Sequence, residues 1–410
     1  MTSETNDAFE NSLENVEVKI KGEPLPSGKY TVVAVDIDTT GKRLIDEVVQ
    51  IATYCPKDQF SQYVMPVMNL NPAARQRHQI RIVTSRYFRM LKNLHTAKII
   101  KTKSEVAALN DFLKHLKKLK EEDCDSQGVV LMYHEHRKFA PYMLIEAMKK
   151  YNLLDDFLGV VKSFVNTHTV AVEKHGNTMK YFSLKEVTKA LLNVDDKDLF
   201  EGNASVRAKL VYSVGEFLAR GSEECDEATC AKKLVEFCVE YGCQTNQELQ
   251  ELEEQEKILQ RQSTLRPIFL EYFRTTLYHR VKAVTFRRVL AEHGHELTEL
   301  YKIWEESKKD GLIKCLESCD ELKENDRNEL IEILDHHFDP EKQAYRPIVR
   351  RRSSTGNPRS SSRSKSDNHG KGNGKNMGNN NNNNNDVSPS KKKFFRNNRN
   401  RFNRTNKMNA

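Results

Sequence analysis

The chain has 410 residues, of which 38% are hydrophobic and 30% are charged, and its formal net charge is +8. This length leaves room for two domains. The charge is uneven: residues 347–410 hold 16 Lys and Arg against 2 Asp and Glu, a charge of +14, which leaves −6 for the other residues. A basic tail on a mildly acidic body favours a nucleic-acid partner, although such a tail can also serve only solubility.

Eight cysteines are spread along the chain, and none forms a Cys-x-x-Cys pair. This spacing gives little support for a zinc site, and we expect neither a metal nor a cofactor. No hydrophobic targeting segment follows Met1, and no apolar run approaches the length needed to span a membrane. We therefore expect an intracellular protein with reduced thiols and no membrane partner.

Residues 1–28 are acidic and polar, and we expect them to be a disordered lead-in. Strand patterns follow at Tyr30–Asp38, Val48–Tyr54 and Phe60–Val67, each bounded by turn residues. Residues 68–102 are basic and show no clear periodicity, so we expect an irregular segment there.

The next part of the chain alternates helical and strand patterns. The predicted elements are a helix that begins after Ser104, a strand over Gly128–Tyr133, and helices over Phe139–Tyr151, Ser183–Leu192 and Ala204–Ala219. Ser183 opens a capping box, and Gly221 can end the last of these helices. Three strands followed by a helix, a strand and further helices indicate a layered α/β domain over residues 29–222.

From residue 226 to residue 346 the pattern is helical, and we expect no strand. The clearest helical segments are Glu248–Gln262, Pro267–Leu290, Leu312–Leu316 and Leu330–Phe338. Trp304, the only tryptophan, is expected in the core of this small helical bundle. Residues 347–410 contain few apolar residues and include seven consecutive asparagines, so we predict a disordered tail.

The strongest chemical signal is at the end of the first strand, where residues 32–41 read Val-Val-Ala-Val-Asp-Ile-Asp-Thr-Thr-Gly. Side chains alternate along a strand, so Asp36 and Asp38 share one face, and two such carboxylates can share a divalent metal ion. The segment resembles the Asp-x-Glu-Thr-Thr-Gly motif of exonucleases with four acidic metal ligands (the DEDD type), with Asp38 in place of the glutamate. The simpler alternative is a strand that ends in a polar turn.

Two later segments fit the remaining motifs of that family, with substitutions at the chemical positions. The second motif, His-Asn-x-x-Phe-Asp after a strand, is matched through Phe139, which puts Ala140 where the aspartate would stand. The third motif, His-x-Ala-x-x-Asp-Ala, is matched by residues 202–208. This match puts Gly202 at the general-base histidine and Arg207 at the last aspartate.

These substitutions predict that the exonuclease-like fold is kept and that catalysis is lost. Two-metal hydrolysis needs carboxylates that clamp two divalent ions about 3.5–4 Å apart, and a base that activates water. Ala140 offers no ligand, Gly202 cannot accept a proton, and the fixed positive charge of Arg207 repels a metal ion. We therefore expect that the protein is not an enzyme.

Arg207 has a second predicted role. Two nearby carboxylates repel each other unless a cation lies between them, so Arg207 is expected to be the counter-charge to Asp36 and Asp38. His134 and His136 follow the strand of the second motif and could accept a proton, but neither would stabilise the leaving oxygen as a metal does.

With these motifs in this order, and with a helical region and a basic tail behind them, residues 29 to about 346 resemble the Exuperantia family of insect maternal-mRNA localisation proteins. Residues 33–47 carry the most specific part of the resemblance. It implies an α/β exonuclease-like (RNase H-like) domain over 29–222 without the catalytic set, followed by an all-α SAM-like domain over 226–346 and a disordered basic tail. It further implies binding of mRNA through the 3′ untranslated region, and a homodimer formed through the exonuclease-like domain. The implied role is localising messages of the bicoid type in the oocyte, within cytoplasmic ribonucleoprotein particles.

The helical region also holds the main candidate surface for RNA. Unpaired bases stack on aromatic and guanidinium planes while cations meet the backbone, and basic and aromatic residues interleave here. The candidate residues are Arg266, Arg274, Arg280, Lys282, Arg287 and Arg288. Arg280 and Arg287 are seven residues apart and would share one helix face. The alternative is that the aromatic residues form a core and the arginines a solvated rim.

Two further segments are candidates for RNA contact. Cations and phenylalanines alternate in the tail, a pattern that suits non-specific contact with single strands and condensate formation. The candidate residues in the tail are Lys391, Phe394, Phe395, Arg396, Arg401, Phe402 and Arg404. The basic segment from Arg75 to Arg89 is a second candidate in the body of the chain.

Three functions remain open from the sequence. The leading one is a non-catalytic RNA-binding adaptor. The second is an active 3′–5′ exoribonuclease with substitute ligands, which metal-dependent digestion of RNA by the pure protein would reveal. The third is a protein–protein scaffold with a solubilising tail, against which salt-dependent RNA binding by the tail-less body would argue.

Overall fold

The computed structural model describes residues 25–194, 203–221 and 226–347. The strands are β1 (Thr31–Thr39), β2 (Val48–Tyr54), β3 (Gln59–Val64), β4 (Ile80–Thr84), β5 (Arg89–Asn93), β6 (Ile99–Ile100), β7 (Thr102–Lys103), β8 (Val129–Tyr133), β9 (Val161–Asn166) and β10 (Cys243–Gln244). Seven of them form a mixed sheet in the order β10-β9-β8-β1-β2-β3-β7, and a second sheet has the order β4-β5-β6.

Helices cover the larger sheet and form the second half of the described chain. They are α1 (Pro72–His78), α2 (Glu105–Glu122), α3 (Ala140–Lys150), α4 (Leu154–Val160), α5 (Thr167–His175), α6 (Leu184–Leu192), α7 (Ala204–Arg220), α8 (Glu227–Tyr241), α9 (Thr245–Thr264), α10 (Leu270–Phe273), α11 (Leu277–Glu292), α12 (Leu297–Leu316) and α13 (Glu324–Phe338). A short 3₁₀ helix over Arg266–Phe269 precedes α10.

β1 lies in the middle of the larger sheet because its side chains are apolar on both faces. It pairs parallel with β8 and antiparallel with β2, and Val33, Ala34 and Val35 are almost fully buried. Near-continuous β-branched runs are typical of strands that are covered on both sides. The strands predicted at 30–38, 48–54 and 128–133 are therefore confirmed.

α7 packs closely against the sheet because of a glycine on its inner face. A Cβ atom at Gly215 would lie 2.7 Å from Met132 Sδ on β8, so the glycine leaves room for the Met132 side chain between the helix and the sheet. Val211, Val214 and Leu218 of α7 join the buried core of the sheet. This close approach brings the beginning of α7 to the carboxyl end of β1.

The expectation that residues 68–102 are irregular is wrong. The segment contains α1, β4, β5 and β6, and the three strands form an antiparallel sheet. Ile80 and Leu91 are buried with Leu70 and Ala74 in a small core of their own. The sequence pattern hid these strands because each spans only five residues, in which apolar and basic residues are mixed without regular alternation.

The expectation of no strand after residue 226 is also wrong. The two-residue strand β10 pairs antiparallel with β9, which the sequence did not predict either. Four apolar residues beyond the predicted limit of the first domain belong to its core, namely Leu234, Phe237, Cys238 and Leu252. The first core therefore continues into α8 and α9, while the domain limits stay a prediction.

The last helices surround a second core. Trp304 is 6% exposed, as the sequence predicted for a core residue, and its indole nitrogen donates a 2.8 Å hydrogen bond to Asp335. The helix predicted at 312–316 is the end of the longer α12. That helix is interrupted at Lys308, whose φ of 48° and ψ of −138° are not helical.

No helix in the described ranges is both long enough and apolar enough to cross a membrane. Cys230 is disulfide-bonded, which departs from the expectation of reduced thiols. Residues 1–24 of the predicted lead-in, Gly202 and nearly all of the predicted tail lie outside the described residues.

Candidate functional site

Two carboxylates mark the end of β1. Asp38 is 1% exposed, and the side chain of Asp36 is 14% exposed on the same face of the sheet. Both stand at the carboxyl end of a strand that runs parallel to β8, which is where α/β sheets commonly place their sites. The predicted shared face is confirmed.

Arg207 lies between these carboxylates. Its Nε and Nη2 atoms donate hydrogen bonds of 2.9 and 2.6 Å to Asp36 Oδ2, and Nη2 also donates to Asp38. The side chain is only 3% exposed. The predicted counter-charge is thus present, in a network that leaves each aspartate with a cationic partner.

The first turn of α7 holds Arg207 in position. Asn203 caps the helix by accepting a 3.0 Å hydrogen bond from Ser205 N. Gln50 on β2 donates to Asn203 Oδ1 at 3.2 Å, and Gln50 stands opposite Asp38 in the register of β1 and β2. β2 therefore positions both the beginning of α7 and Asp38, the carboxylate that Arg207 of α7 contacts.

His78 is a second partner of Asp38. Its Nδ1 lies 2.7 Å from Asp38 Oδ1, and its Nε2 lies 3.2 Å from the carbonyl oxygen of Thr39. Burial alone would raise the pKa of Asp38, but Arg207 and His78 together hold it below its usual value. The same two aspartates raise the pKa of Arg207 against the effect of its burial, so the arginine stays charged.

Glu135 is a third carboxylate close to this network. It follows β8, and its Oε2 accepts hydrogen bonds from Phe139 N at 3.1 Å and Ala140 N at 2.9 Å, at the start of α3. Burial raises the pKa of Glu135 to about 7, and the neighbouring Asp36 adds to the increase against the opposing hydrogen bond from Ala140 N. Near neutral pH this carboxyl is therefore often protonated.

The turn after β1 is closed by Asp46 rather than by a ligand. Asp46 accepts hydrogen bonds from Arg43 N at 2.8 Å and from the Thr40 hydroxyl at 3.4 Å. A Cβ atom on Gly41 would lie 2.4 Å from an Asp46 carboxylate oxygen, which explains the glycine. The Thr-Thr-Gly segment serves the turn that leads out of the site.

Both ring nitrogens of His134 lie within hydrogen-bond distance of other residues of the protein. Its Nδ1 lies 2.9 Å from Thr167 Oγ1, and its Nε2 lies 2.9 Å from the carbonyl oxygen of Phe182. Burial lowers the pKa of His134 to about 4. Both ring nitrogens are therefore engaged, and the histidine that the sequence offered as a possible base ties β8 to neighbouring segments.

The residues present do not fit a pair of divalent metal ions. No cluster of three or more His, Cys, Asp or Glu side chains in the described ranges has the geometry to hold one. Ala140 has no ligand atom, and the Arg207 guanidinium takes the space between the carboxylates.

The predicted RNA-binding residues of the helical region fall into two groups. Arg287 is 2% exposed, and its Nε donates a 2.9 Å hydrogen bond to the carbonyl oxygen of Gln262. Lys282 is mostly buried and lies 2.6 Å from carboxylate oxygens of both Asp326 and Glu329. Arg280 and Arg287 lie seven residues apart on α11, but the helix turns Arg287 into the protein, so the prediction that the two form an exposed RNA-binding face is wrong.

The other candidates stay at or near the surface. Arg274 and Arg266 are exposed, and Arg280 and Arg288 are half-buried. Tyr278 is 68% exposed, whereas Phe269, Tyr272 and Phe286 belong to the core, as the alternative interpretation of the aromatic residues expected. The surface that remains is smaller than predicted, with Arg274 and Tyr278 as its most accessible members.

Sequence reasoning missed Glu135 and His78. A carboxylate directly after a strand parallel to β1 was a usable signal for Glu135, since the carboxyl ends of parallel strands meet at one edge. No local pattern marks His78, because only the packing of α1 over β1 brings it to Asp38.

Comparisons with known proteins agree with this architecture. A family model described as the Exuperantia RNAse H-like domain matches residues 30–191, and one described as the Exuperantia SAM-like domain matches residues 266–337. Maternal protein exuperantia of Drosophila virilis is 46% identical over 376 residues, which cover 83% of this chain and 77% of that protein. The Drosophila melanogaster protein of the same name is 43% identical over 382 residues, which cover 80% of this chain and 72% of that protein.

Proposed function

The chain belongs to the Exuperantia family, and on that premise we propose that it is a non-catalytic RNA-binding adaptor that helps to localise maternal messages. It consists of an RNase H-like domain followed by an all-helical SAM-like domain. The observation that carries the proposal is the contact of Arg207 with both Asp36 and Asp38. A fixed cation replaces the metals of a nuclease there, so the fold is left with recognition of a nucleic acid rather than its hydrolysis.

RNA binding is divided between the tail and the SAM-like domain in this proposal. The tail's sixteen cations supply contacts that do not depend on sequence. On the SAM-like domain, Arg274 and Tyr278 are exposed and four residues apart, and the half-buried Arg280 follows Tyr278 by two residues. A cation and a ring can therefore meet the same nucleotide.

Binding of RNA over a series of salt concentrations tests this division. Arg274→Ala/Arg280→Ala should make the plot of log affinity against log salt shallower by about 1.4, since each cation lost from a single-strand contact is worth about 0.7. Lys302→Ala/Lys314→Ala removes equal charge from exposed positions of α12 and should leave the slope nearly unchanged. Equal slopes in both variants would show that Arg274 and Arg280, in the α10 and α11 region, do not contact RNA.

The assembly state is part of the proposal. We propose a homodimer formed through the exonuclease-like domain, together with mRNA bound through its 3′ untranslated region and other ribonucleoprotein components in the cytoplasm, as the resemblance to the Exuperantia family implies. Sedimentation of the full chain at micromolar concentration should give twice the 47.5 kDa chain mass. A sedimentation mass equal to that of one chain at micromolar concentration would contradict the proposed dimer.

A 3′–5′ exoribonuclease with substitute ligands is the second candidate, because Glu135 could be such a ligand. It lies close enough to Asp36 for the charge of Asp36 to raise the pKa of Glu135. Asp38 Oδ2 is also buried without a hydrogen-bond partner among the described residues. Calorimetric titration of the protein with Mn²⁺ separates the two functions. The adaptor should show no saturable heat, whereas binding that is lost in Asp36→Asn and Glu135→Gln would favour the nuclease.

A further inference from the structure

We propose that the small β4-β5-β6 sheet carries its own binding surface for single-stranded RNA, on the exonuclease-like domain. This hairpin face consists of Arg81, Lys92 and Ile99 across the three strands, and of Arg86, Tyr87 and Phe88 in the turn between β4 and β5. The inference rests on the proposed RNA-binding function and adds a second, separate site to it.

The charge of this part of the chain has one sign. Residues 59–104 contain nine Lys and Arg and no Asp or Glu, although residues 1–346 as a whole carry −6. A stretch of this length without a carboxylate inside an acidic body produces a local positive field, which attracts a polyanion.

The strand register makes two of these cations cross-strand neighbours. Arg81 stands directly opposite Lys92, and Lys92 stands opposite Ile99 on the third strand. Like charges directly opposite each other on one face of a sheet are destabilising. Neither Arg81 nor Lys92 forms a salt bridge within the described ranges, so an anion bound over the pair would relieve the repulsion.

The opposite face of the sheet is the buried one. Ile80 and Leu91 alternate with Arg81 and Lys92, and both are at most 1% exposed. Because side chains alternate along strands, the cations must point away from the domain. Ile99 is 66% exposed on this outer face and gives it an apolar contact beside the charges.

The turn presents two aromatic rings to solvent. A 2.8 Å hydrogen bond from Ser85 N to Phe88 O closes the turn, and Tyr87 and Phe88 are 78% and 68% exposed. Arg89 holds the base of the turn by donating to the carbonyl oxygens of Pro66 and Met68. Exposed rings on a rigid support beside cations are suited to stacking of unpaired bases.

The charge pattern favours RNA over a second copy of this chain as the occupant. An isologous contact through this face would bring the Arg81 and Lys92 pair of one copy against the same pair of the other. Such a juxtaposition of like charges opposes association. A nucleic acid supplies both the phosphates and the planar bases, and the bases must be unpaired to reach Tyr87 and Phe88.

The test uses the full-length protein and a fluorescent dodecamer of uridine. Arg81→Ala/Lys92→Ala should make the log affinity against log salt plot shallower by about 1.4. Lys114→Ala/Lys118→Ala removes equal charge from an exposed face of α2 and should leave the slope close to that of the parent. Equal slopes in the two variants would overturn the inference.

The aromatic contribution has its own matched pair. Tyr87→Ser/Phe88→Ser should weaken binding at least about 5-fold, which corresponds to the loss of one weakly stacked base. Tyr181→Ser, which removes another exposed ring of the same domain, should leave affinity within 2-fold, on the order of the scatter of neutral surface changes.

Cross-linking gives a readout on the unaltered protein. With 5-iodouridine in the dodecamer, illumination should attach RNA to the peptide that contains Tyr87 and Phe88. Cross-links confined to other segments would overturn the inference while leaving RNA binding intact. If the parent binds no RNA at all, the proposed function fails as well. If Tyr87→Ser/Phe88→Ser turns a dimer into a monomer without changing RNA affinity, the face serves self-association and the inference is wrong.

Discussion

Arg207 stabilises a site in which the carboxylates of Asp36 and Asp38 would otherwise repel each other. Asp36 and Asp38 lie on one face of β1, and the guanidinium binds both of them with its side chain almost fully buried. A buried ion network of this kind is weak support for stability by itself, since burial of the charges costs nearly as much as their attraction gains. Removal of one partner has a much larger effect, because it leaves the others buried and unpaired.

Arg207→Ala should therefore lower the free energy of unfolding by about 3–5 kcal/mol, measured by urea denaturation at pH 7. Lys209→Ala on the same helix removes an exposed cation near Tyr54 and should cost less than about 1 kcal/mol. The triple change Asp36→Asn/Asp38→Asn/Arg207→Met should recover most of the loss, because no charge is left unpaired. A parent-like midpoint for Arg207→Ala would contradict the assigned role.

Glu135 makes stability depend on pH. Its pKa is about 7 in the folded protein and 4.5 for the ordinary side chain, so the folded state holds a proton that the unfolded chain has released between these values. This contribution is complete below about pH 4.5 and is lost as the pH rises through 7.

Glu135→Gln should thus leave stability unchanged near pH 4 and raise it at pH 8 by up to about 3 kcal/mol, since the amide keeps an acceptor oxygen but carries no charge. Urea denaturation at both pH values measures the difference. Glu121→Gln at an exposed position of α2 is the control and should not change with pH in this way. A gain for Glu135→Gln that is equal at both pH values would argue against titration of Glu135.

At the scale of elements, the sequence predicted what depends on local pattern and missed what depends on packing. The apolar run of β1 and the capping box of α6 were readable because neighbours in the chain set them, and Arg207 was found because residues 202–208 resemble a family motif. β4 and β5 were missed because their apolar residues serve a five-residue core, and β10 because two residues carry no pattern. Arg287 was misplaced because a heptad spacing does not say which way a helix faces.

The attachment of α9 to the exonuclease-like domain is a second feature that no local pattern reveals. Lys138, just before α3, lies 3.1 Å from Glu248 Oε2 and 2.6 Å from Glu251 Oε2, and both glutamates are 1% exposed. Tyr142 donates a further hydrogen bond of 3.2 Å to Glu251. The acidic helix thus has a buried face whose two carboxylates share Lys138 as a cation.

Lys138→Ala should leave two buried carboxylates without their cation and lower stability by about 3–5 kcal/mol. Hydrogen exchange of the α9 amides should accelerate more than that of β1. Lys149→Ala, which breaks an exposed pair 3.4 Å from Glu256, should cost less than about 1 kcal/mol. Unchanged exchange in α9 would show that its apolar contacts alone attach it.

At the scale of the whole molecule, the proposed RNA affinity has two physical origins. The tail contributes many cations without a described shape, and the folded domains contribute a few cations and rings on rigid elements. Contacts of the first kind are expected to be insensitive to sequence and sensitive to salt. Any selectivity should come from the folded domains, where geometry is fixed.

Deletion of residues 347–410 should therefore lower affinity for all RNAs by a similar factor and flatten the salt dependence of binding. Competition between a message fragment and a scrambled RNA of equal length measures both effects. The ratio of the two affinities should be nearly the same with and without the tail. A ratio that falls to one on deletion would place selectivity in the tail instead.

The most direct test of the central claim follows RNA length and RNA binding in one reaction. The full-length protein is incubated with 5′-labelled single-stranded RNA in Mn²⁺ or in EDTA, and samples are separated on native and denaturing gels. If Arg207 has replaced the metals, the RNA should be bound equally in both conditions and should remain at full length. Progressive shortening from the 3′ end in Mn²⁺, absent in EDTA and absent in Asp36→Ala, would contradict the account.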